Sequence, residues 1–224
     1  MLVSIVIPYY NDEKNIYLSV SSALKQSYKN IEIIIIDNEN SLNSKKVLKK
    51  ISKQSKKIKV FKNEKLGNYA GIGRNLGVGY SKGKLIAFLD SDDLWSKDKL
   101  KLQVRELKDK KVDILFTNFR AINEKNKELY KVKSPSLITF KDLIKSCPVC
   151  LSSVLIKKNC LKKNKFKKFK TKEDYELWLN FSKSGFKIIT LNYFYTFYRV
   201  RASTLSSLHF NKIINAYIIY SRSL

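Results

Sequence analysis

Four consecutive isoleucines, Ile33 to Ile36, constrain this chain more than any other feature. β-Branched side chains are stiff at χ1 and favour extended backbone. A strand apolar on both of its alternating faces must be covered on both sides, as strands are in a parallel sheet flanked by helices. Leu2 to Ile7 and Leu85 to Leu89 read the same way, and Ile58 to Phe61 adds a shorter strand. Between these runs the period becomes helical. Asn11 or Asp12 can cap a helix carrying Ile16, Val20, Ala23 and Leu24, and a Lys-rich helix follows from about Ser44 to Ser55. This alternation predicts a doubly wound α/β fold, with a mostly parallel sheet and helices on both faces. Ligands of such folds sit beyond the carboxyl ends of the strands.

After Trp95 the pattern loosens. Leu100, Val104 and Leu107 mark a helix, Asp113 to Phe119 a strand, and Asn123 to Lys127 a turn that can close a hairpin. Thr139 to Ser146 reads as helix, Leu151 to Ile156 as extended, and Lys172 to Ser184 as helix again. With 224 residues the chain suits one large domain, and 44% hydrophobic residues exclude a disordered polycation despite a net charge of +26. The apolar runs are too short to span a bilayer, and Met1 to Pro8 reads as a first strand and not as a leader peptide. Three cysteines, Cys147, Cys150 and Cys160, make no even disulfide framework and fit a reducing, cytoplasmic setting.

The chemistry concentrates in Asp90-Ser91-Asp92-Asp93, directly after the strand Leu85 to Leu89. Three carboxylates within four residues repel one another, and a hard divalent cation, Mn²⁺ or Mg²⁺, relieves that repulsion. Taken alone, the cluster fits a solvated helix-capping turn as well. Other residues fall at the same sheet edge: Pro8-Tyr9-Tyr10-Asn11 ends the first strand, Asp37 ends the second, and Arg74-Asn75 precedes the acidic strand. Arg74 offers a fork suited to phosphate.

With these blocks in that order, the chain resembles the family 2 glycosyltransferases of GT-A fold over about residues 2 to 205. The resemblance rests on Val3 to Asn11, Ile33 to Asp37, Gly73-Arg74-Asn75-Leu76-Gly77, Phe88 to Trp95 and Lys172 to Leu179. It implies that Pro8, Tyr10 and Glu13 line the base and ribose of a nucleotide sugar, with Asp37 on the uracil and Arg74 near the diphosphate. It implies a DxD pair in which Asp90 approaches the ribose or sugar and Asp92 binds the metal, and it makes Asp174 the general base of an inverting transfer. Ser152 would border the acceptor pocket. The halves 1–95 and 96–205 would bind donor and acceptor, with a basic, aromatic helix over 206–224. In chemical terms, one carboxylate activates an acceptor hydroxyl while a cation and arginines neutralise a departing diphosphate. A hydrolase would instead need two catalytic carboxylates flanking the glycosidic bond.

The chain also departs from the family. Asn38-Glu39-Asn40-Ser41 replaces the usual Asp-Gly-Ser after Asp37, and Tyr198-Arg199-Val200-Arg201 stands where many relatives place a His. Arg201 can meet phosphate but cannot ligate a cation. The signature of processive synthases is absent, so one sugar is expected per acceptor. The implied partners are a UDP-sugar donor and a glycan or lipid-linked acceptor, in bacterial surface polysaccharide or lipooligosaccharide assembly at the inner face of the membrane.

Weaker features have plain alternatives. Lysine supplies 39 of the 45 basic residues, spread over the whole length, which fits either compositional bias or adhesion to an anionic membrane surface; no specific nucleic-acid motif accompanies them. Cys147-Pro148-Val149-Cys150 has half a zinc site's spacing, but small buried thiols explain it as well. Gly71-Ile72-Gly73 lacks the leading strand of a dinucleotide loop. Trp95 and Trp178 read as packing residues or sugar platforms, and His209 as a surface or helix-edge residue in preference to a catalyst. Lys157 to Lys172, with Phe166 and Phe169, is either a solvated loop or a lid facing membrane or acceptor. Two other activities would use similar parts: a sugar nucleotidyltransferase, and a catalytically dead polybasic binding module.

Overall fold

The computed structural model describes residues 1–64, 69–110 and 112–201. The helix expected over 206–224, and His209 within it, lie outside the described residues. The first half forms β1 (Val3–Tyr9), α1 (Glu13–Leu24), β2 (Ile31–Asp37), α2 (Leu42–Ser52), β3 (Ile58–Lys62), α3 (Ala70–Tyr80) and β4 (Leu85–Phe88). β2 lies parallel to both β1 and β3, and β1 parallel to β4. Every residue of β1 and β2 is buried, as the unbroken apolar runs require. Ile5, Ile7, Ile33 and Ile35 join Ile16, Val20 and Ala23 of α1 in one core, while Val6 faces a second core on the opposite side. Each fully buried isoleucine contributes about 2 kcal/mol of transfer free energy.

α3 comes unusually close to the sheet because of its glycines. A Cβ at Gly77 would collide with Cγ1 of Val6, and one at Gly73 would stand 2.7 Å from the Asn38 amide. The glycine spacing that superficially resembles a dinucleotide loop therefore serves helix-to-sheet packing, deep inside the fold.

The second half adds β5 (Leu94–Trp95), α4 (Lys99–Asp109), β6 (Ile114–Ile122), β7 (Glu128–Val132), α5 (Phe140–Lys145), β8 (Leu155–Lys157), α6 (Glu173–Lys183) and β9 (Ile188–Arg199). One nine-stranded sheet results, in the order β3-β2-β1-β4-β8-β6-β9-β5, with β7 on β6. The Asn123 to Lys127 turn does close the β6–β7 hairpin, with Asn126 at φ 62°. Thr139 caps α5 through a reciprocal capping box with Asp142.

Two features differ from the sequence expectation. β9 is a twelve-residue strand parallel to β6 with no counterpart among the strands expected from the sequence, because exposed and buried positions do not alternate cleanly along it. The stretch expected to be extended from Leu151 instead coils as a 3₁₀ turn over Leu151–Ser153 before β8 begins. The Lys-rich segment before α6 is pinned, and its aromatics point inward. Phe166 is buried edge-on to Phe88, and Asn75 both donates to and accepts from its backbone. A lid presenting Phe166 to a membrane is excluded by that burial. Among the described residues, no helix is long and apolar enough to cross a membrane.

Candidate active site

Where β4 ends, the acidic turn Asp90 to Asp93 is held from three sides. Ser19 of α1 donates to the carbonyls of Asp90 and Asp93. Asp90 N–H donates to Ser152 Oγ at 3.0 Å. Arg199, fully buried at the end of β9, donates its backbone N–H to Asp93 Oδ1 and its Nε to the Asp92 carbonyl, both at 2.8 Å. The remaining arms of Arg199 reach the Asn123 carbonyl and Asn126 Oδ1 in the β6–β7 turn. Asp93 thus points into the protein, and burial, then Asp92 and Asp90, push its carboxyl well above the usual range. Asp90 and Asp92 face outward. Burial, then Asp90 and Asp12, raise Asp92 to about 6, against the opposing pull of Arg201.

Arg74 of α3 crosses to the other wall. Its Nη2 meets Asp90 at 2.6 Å and its Nη1 meets Glu173 at 2.5 Å, with the guanidinium carbon 5.6 Å from the Phe166 ring. Glu173 begins α6, and the next residue is Asp174. Acidic residues in the first turn suit the positive end of the helix dipole. Asp174 accepts from the Tyr175 N–H at 2.8 Å, and burial, followed by the neighbouring Glu173, raises its carboxyl to about 6 despite Arg74.

Both walls line one cleft of ≈ 750 Å³. It brings together Pro8, Tyr10, Arg74, Asp90, Asp92, Asp174 and Arg201 from among the residues singled out in the sequence. The other expected residues lie elsewhere. Trp178 is completely buried, its ring packed edge-on to Phe116, so it offers no face to an acceptor. Ser152 is also fully buried, with its hydroxyl turned to the back of the acidic turn. Glu13 lies on a smaller adjoining hollow, accepting from Asn43. Asp37 is spent on its own loop, taking the N–H groups of Glu39 and Asn40 and the Ser44 hydroxyl, and Asn38 takes its place on the cleft wall. Arg74 lines the cleft, but both terminal nitrogens are engaged by carboxylates, so the role of phosphate fork gives way to that of a strut. Trp95 is a packing residue: its Nε1 donates to the Ser152 carbonyl, and the buried Lys99 ammonium stands 4.1 Å from its ring.

The profile of the family described as "Glycosyl transferase family 2" matches residues 4–186. This chain is a family 2 glycosyltransferase. It is 35% identical over 213 residues to the Escherichia coli UDP-Glc:alpha-D-GlcNAc-diphosphoundecaprenol beta-1,3-glucosyltransferase WfgD, covering 95% of this chain and 82% of that one. It is 28% identical over 220 residues to the putative teichuronic acid biosynthesis glycosyltransferase TuaG of Bacillus subtilis, covering 98% and 87%. Among solved structures, S. aureus TarS 1–349 in complex with UDP-GlcNAc superposes with a TM-score of 0.75 at 21% identity, over 93% of this chain and 62% of that one. A Pyrobaculum calidifontis mannosyltransferase in complex with GDP-Man and Mn²⁺ gives 0.73 at 14% identity, over 98% and 64%. At these identities the structural likenesses establish the fold, which is of the GT-A type; this glycosyltransferase spans under two thirds of each of those two chains.

Some parts of this glycosyltransferase's cleft carried no role in the sequence. Asp12 sits at the N-cap of α1 without capping it. Its carboxylate instead accepts from Asn15, from Ser91 and from Arg201, a residue 189 positions away. Glu173 and Arg199 likewise gain their roles only through the fold. Phe119 and Tyr198, edge to face at 5.9 Å, join Val149, Cys150 and Leu151 in a more apolar part of the wall. The cysteines are free thiols, and Cys150 and Cys160 are buried. The donor set also fits a divalent cation. Asp92 lies within reach of the cleft and carries a negative charge that Asp90 and Asp12 make costly. Among the described residues no three His, Cys, Asp or Glu side chains gather tightly enough to chelate an ion, so Asp92 would share it with the phosphates of a donor.

Proposed function

We propose that this glycosyltransferase moves one sugar from a UDP donor to a lipid-linked acceptor, with inversion, in bacterial surface polysaccharide assembly. The observation that carries the reading is the placement of Asp174 and the Asp90/Asp92 turn on one cleft, tied together by Arg74. The specificities named for the Escherichia coli relative support the donor and acceptor classes. Residues 1–95 would hold the donor, with Pro8, Tyr10 and Asn38 around the base and ribose, and residues 96–205 the acceptor.

In this mechanism Asp174 takes the proton of the acceptor hydroxyl. The hydroxyl oxygen attacks the anomeric carbon from the side opposite the UDP, and the electron pair of the breaking bond leaves with the diphosphate. A general base contributes about 10²–10⁴-fold. Asp92 would hold Mn²⁺ or Mg²⁺, which supplies charge neutralisation for the departing diphosphate. Arg201, at the same edge, adds a positive charge toward the departing diphosphate. The net charge of +26 suits work at an anionic cytoplasmic leaflet, each basic residue near the surface contributing about 1 kcal/mol.

A panel of nucleotide sugars, offered with Mn²⁺ and a GlcNAc-diphosphate-lipid acceptor, tests the reading. UDP should be released only when a UDP-sugar and the acceptor are both present. Release of pyrophosphate would identify a nucleotidyltransferase, and no turnover with any donor would leave a binding module.

A further inference from the structure

Arg201 is the last described residue, and its Nη2 stands 2.8 Å from Asp12 Oδ2 and 3.0 Å from Asp92 Oδ2. One nitrogen therefore bridges two carboxylates, the position that a cation drawn to Asp92 would need to enter. The two contacts are unequal. The Asp12 side chain is 5% exposed and is itself fixed by Asn15 and Ser91, whereas the Asp92 side chain is 23% exposed and opens to the cleft. The Asp12 contact is an anchor, and the Asp92 contact is the one that solvent and ligand can reach.

We propose that Arg201 and the divalent cation are alternative partners of Asp92. Arg201, anchored on Asp12, neutralises Asp92 in the unloaded protein and passes to the donor's diphosphate when the cation takes its place. The exchange keeps Asp92 paired throughout, and the extra positive charge of a divalent cation over a guanidinium is met by the incoming diphosphate; Asp92 is never left uncompensated in a half-buried cleft, where a lone carboxylate is costly. Metal binding before the nucleotide would then have to displace the guanidinium, whereas a cation arriving with a diphosphate offers it a new acceptor. Cation and donor should therefore bind with positive coupling that runs through one side chain. Asp12 acts in this scheme as a positioning residue for Arg201. The inference rests on the cation-assisted reading given above.

The test is Mn²⁺ binding without nucleotide, followed by the loss of the free-ion electron paramagnetic resonance signal, on the intact chain. Arg201→Gln should bind Mn²⁺ about fivefold more tightly than the wild type, the measure of a part-exposed ion pair removed from competition. Arg201→Lys, which keeps the charge, should return the affinity to the wild-type value. In saturating Mn²⁺, Arg201→Gln should bind UDP more weakly than the wild type. Unchanged or weaker Mn²⁺ binding in Arg201→Gln overturns the exchange. Asp92→Asn separates the two claims: if, with UDP present, it binds Mn²⁺ as well as the wild type, the cation reading itself fails, whatever Arg201 does.

Discussion

Replacing Arg74 by methionine keeps much of the side chain's bulk and removes its charge. Its guanidinium is 5% exposed and joins Asp90, 29% exposed, to Glu173, 11% exposed. Deleting one partner of a buried ion pair costs about 3–5 kcal/mol, because the remaining charge is stranded. Here two carboxylates are stranded, but Asp90 opens to water in the cleft, which places the expected loss near the lower limit, about 3 kcal/mol. For a chain of this size that is a fall in midpoint of roughly 6–12 °C. Urea denaturation measures it directly, provided the m-value is unchanged. Adding Glu173→Gln to Arg74→Met should recover about 1–2 kcal/mol, since it removes one stranded charge, whereas the same change in the wild type should destabilise. Lysine at position 74 cannot serve both carboxylates from one ammonium and should fall between wild type and methionine. A loss under about 1 kcal/mol in Arg74→Met would refute the strut, because a buried bridge whose removal costs so little is not holding the two walls together.

The remaining predictions concern the base and the packing of α3. Asp174 is pushed up to about 6, so between the ordinary carboxylate range and that value the folded protein binds a proton that the unfolded chain has lost. Its destabilising effect is absent in acid and grows as pH rises to about 6. Asp174→Asn should therefore abolish transfer yet raise stability at pH 7.5 by about 1–2 kcal/mol, discounted for the open cleft; lower stability would contradict the assignment. Because Asp92 is also raised to about 6, kcat/KM should climb with pH through that region, and a flat acid limb would count against both roles. Gly77→Ala drives a methyl group into Val6 and should cost about 1–3 kcal/mol of stability in a denaturant melt, where an exposed helix position would gain from the same change.

The parallel half of the fold was legible because its chemistry is local. Ile33 to Ile36 declare a strand covered on both faces, and the helices beside it repeat their apolar residues at helical spacing. The acidic turn was legible from the residues themselves, whereas the role of Asp174 and its place on the same cleft were implied only by the resemblance to family 2 glycosyltransferases. What stayed hidden depends on long-range contact. Asp12 reads as a helix cap, and only the return of β9 brings Arg201 to it. Arg199 lies in a strand whose mixed aromatic and polar pattern masks its period, so its grip on the acidic turn leaves no mark in the sequence. Ser152 looked like an acceptor contact by its position in the family pattern, and Trp178 by the ring face it could offer to a sugar. The 3₁₀ turn and the second core direct both of them away from the cleft.

Calorimetry of UDP binding, with and without Mn²⁺, in Asp92→Asn and Asp174→Asn tests the division of labour most directly. Metal-dependent UDP binding should be lost in Asp92→Asn and preserved in Asp174→Asn, while neither variant transfers sugar. Equal loss of UDP binding in both, or full transfer by Asp174→Asn, would contradict a mechanism in which one carboxylate serves the leaving diphosphate and the other the incoming hydroxyl.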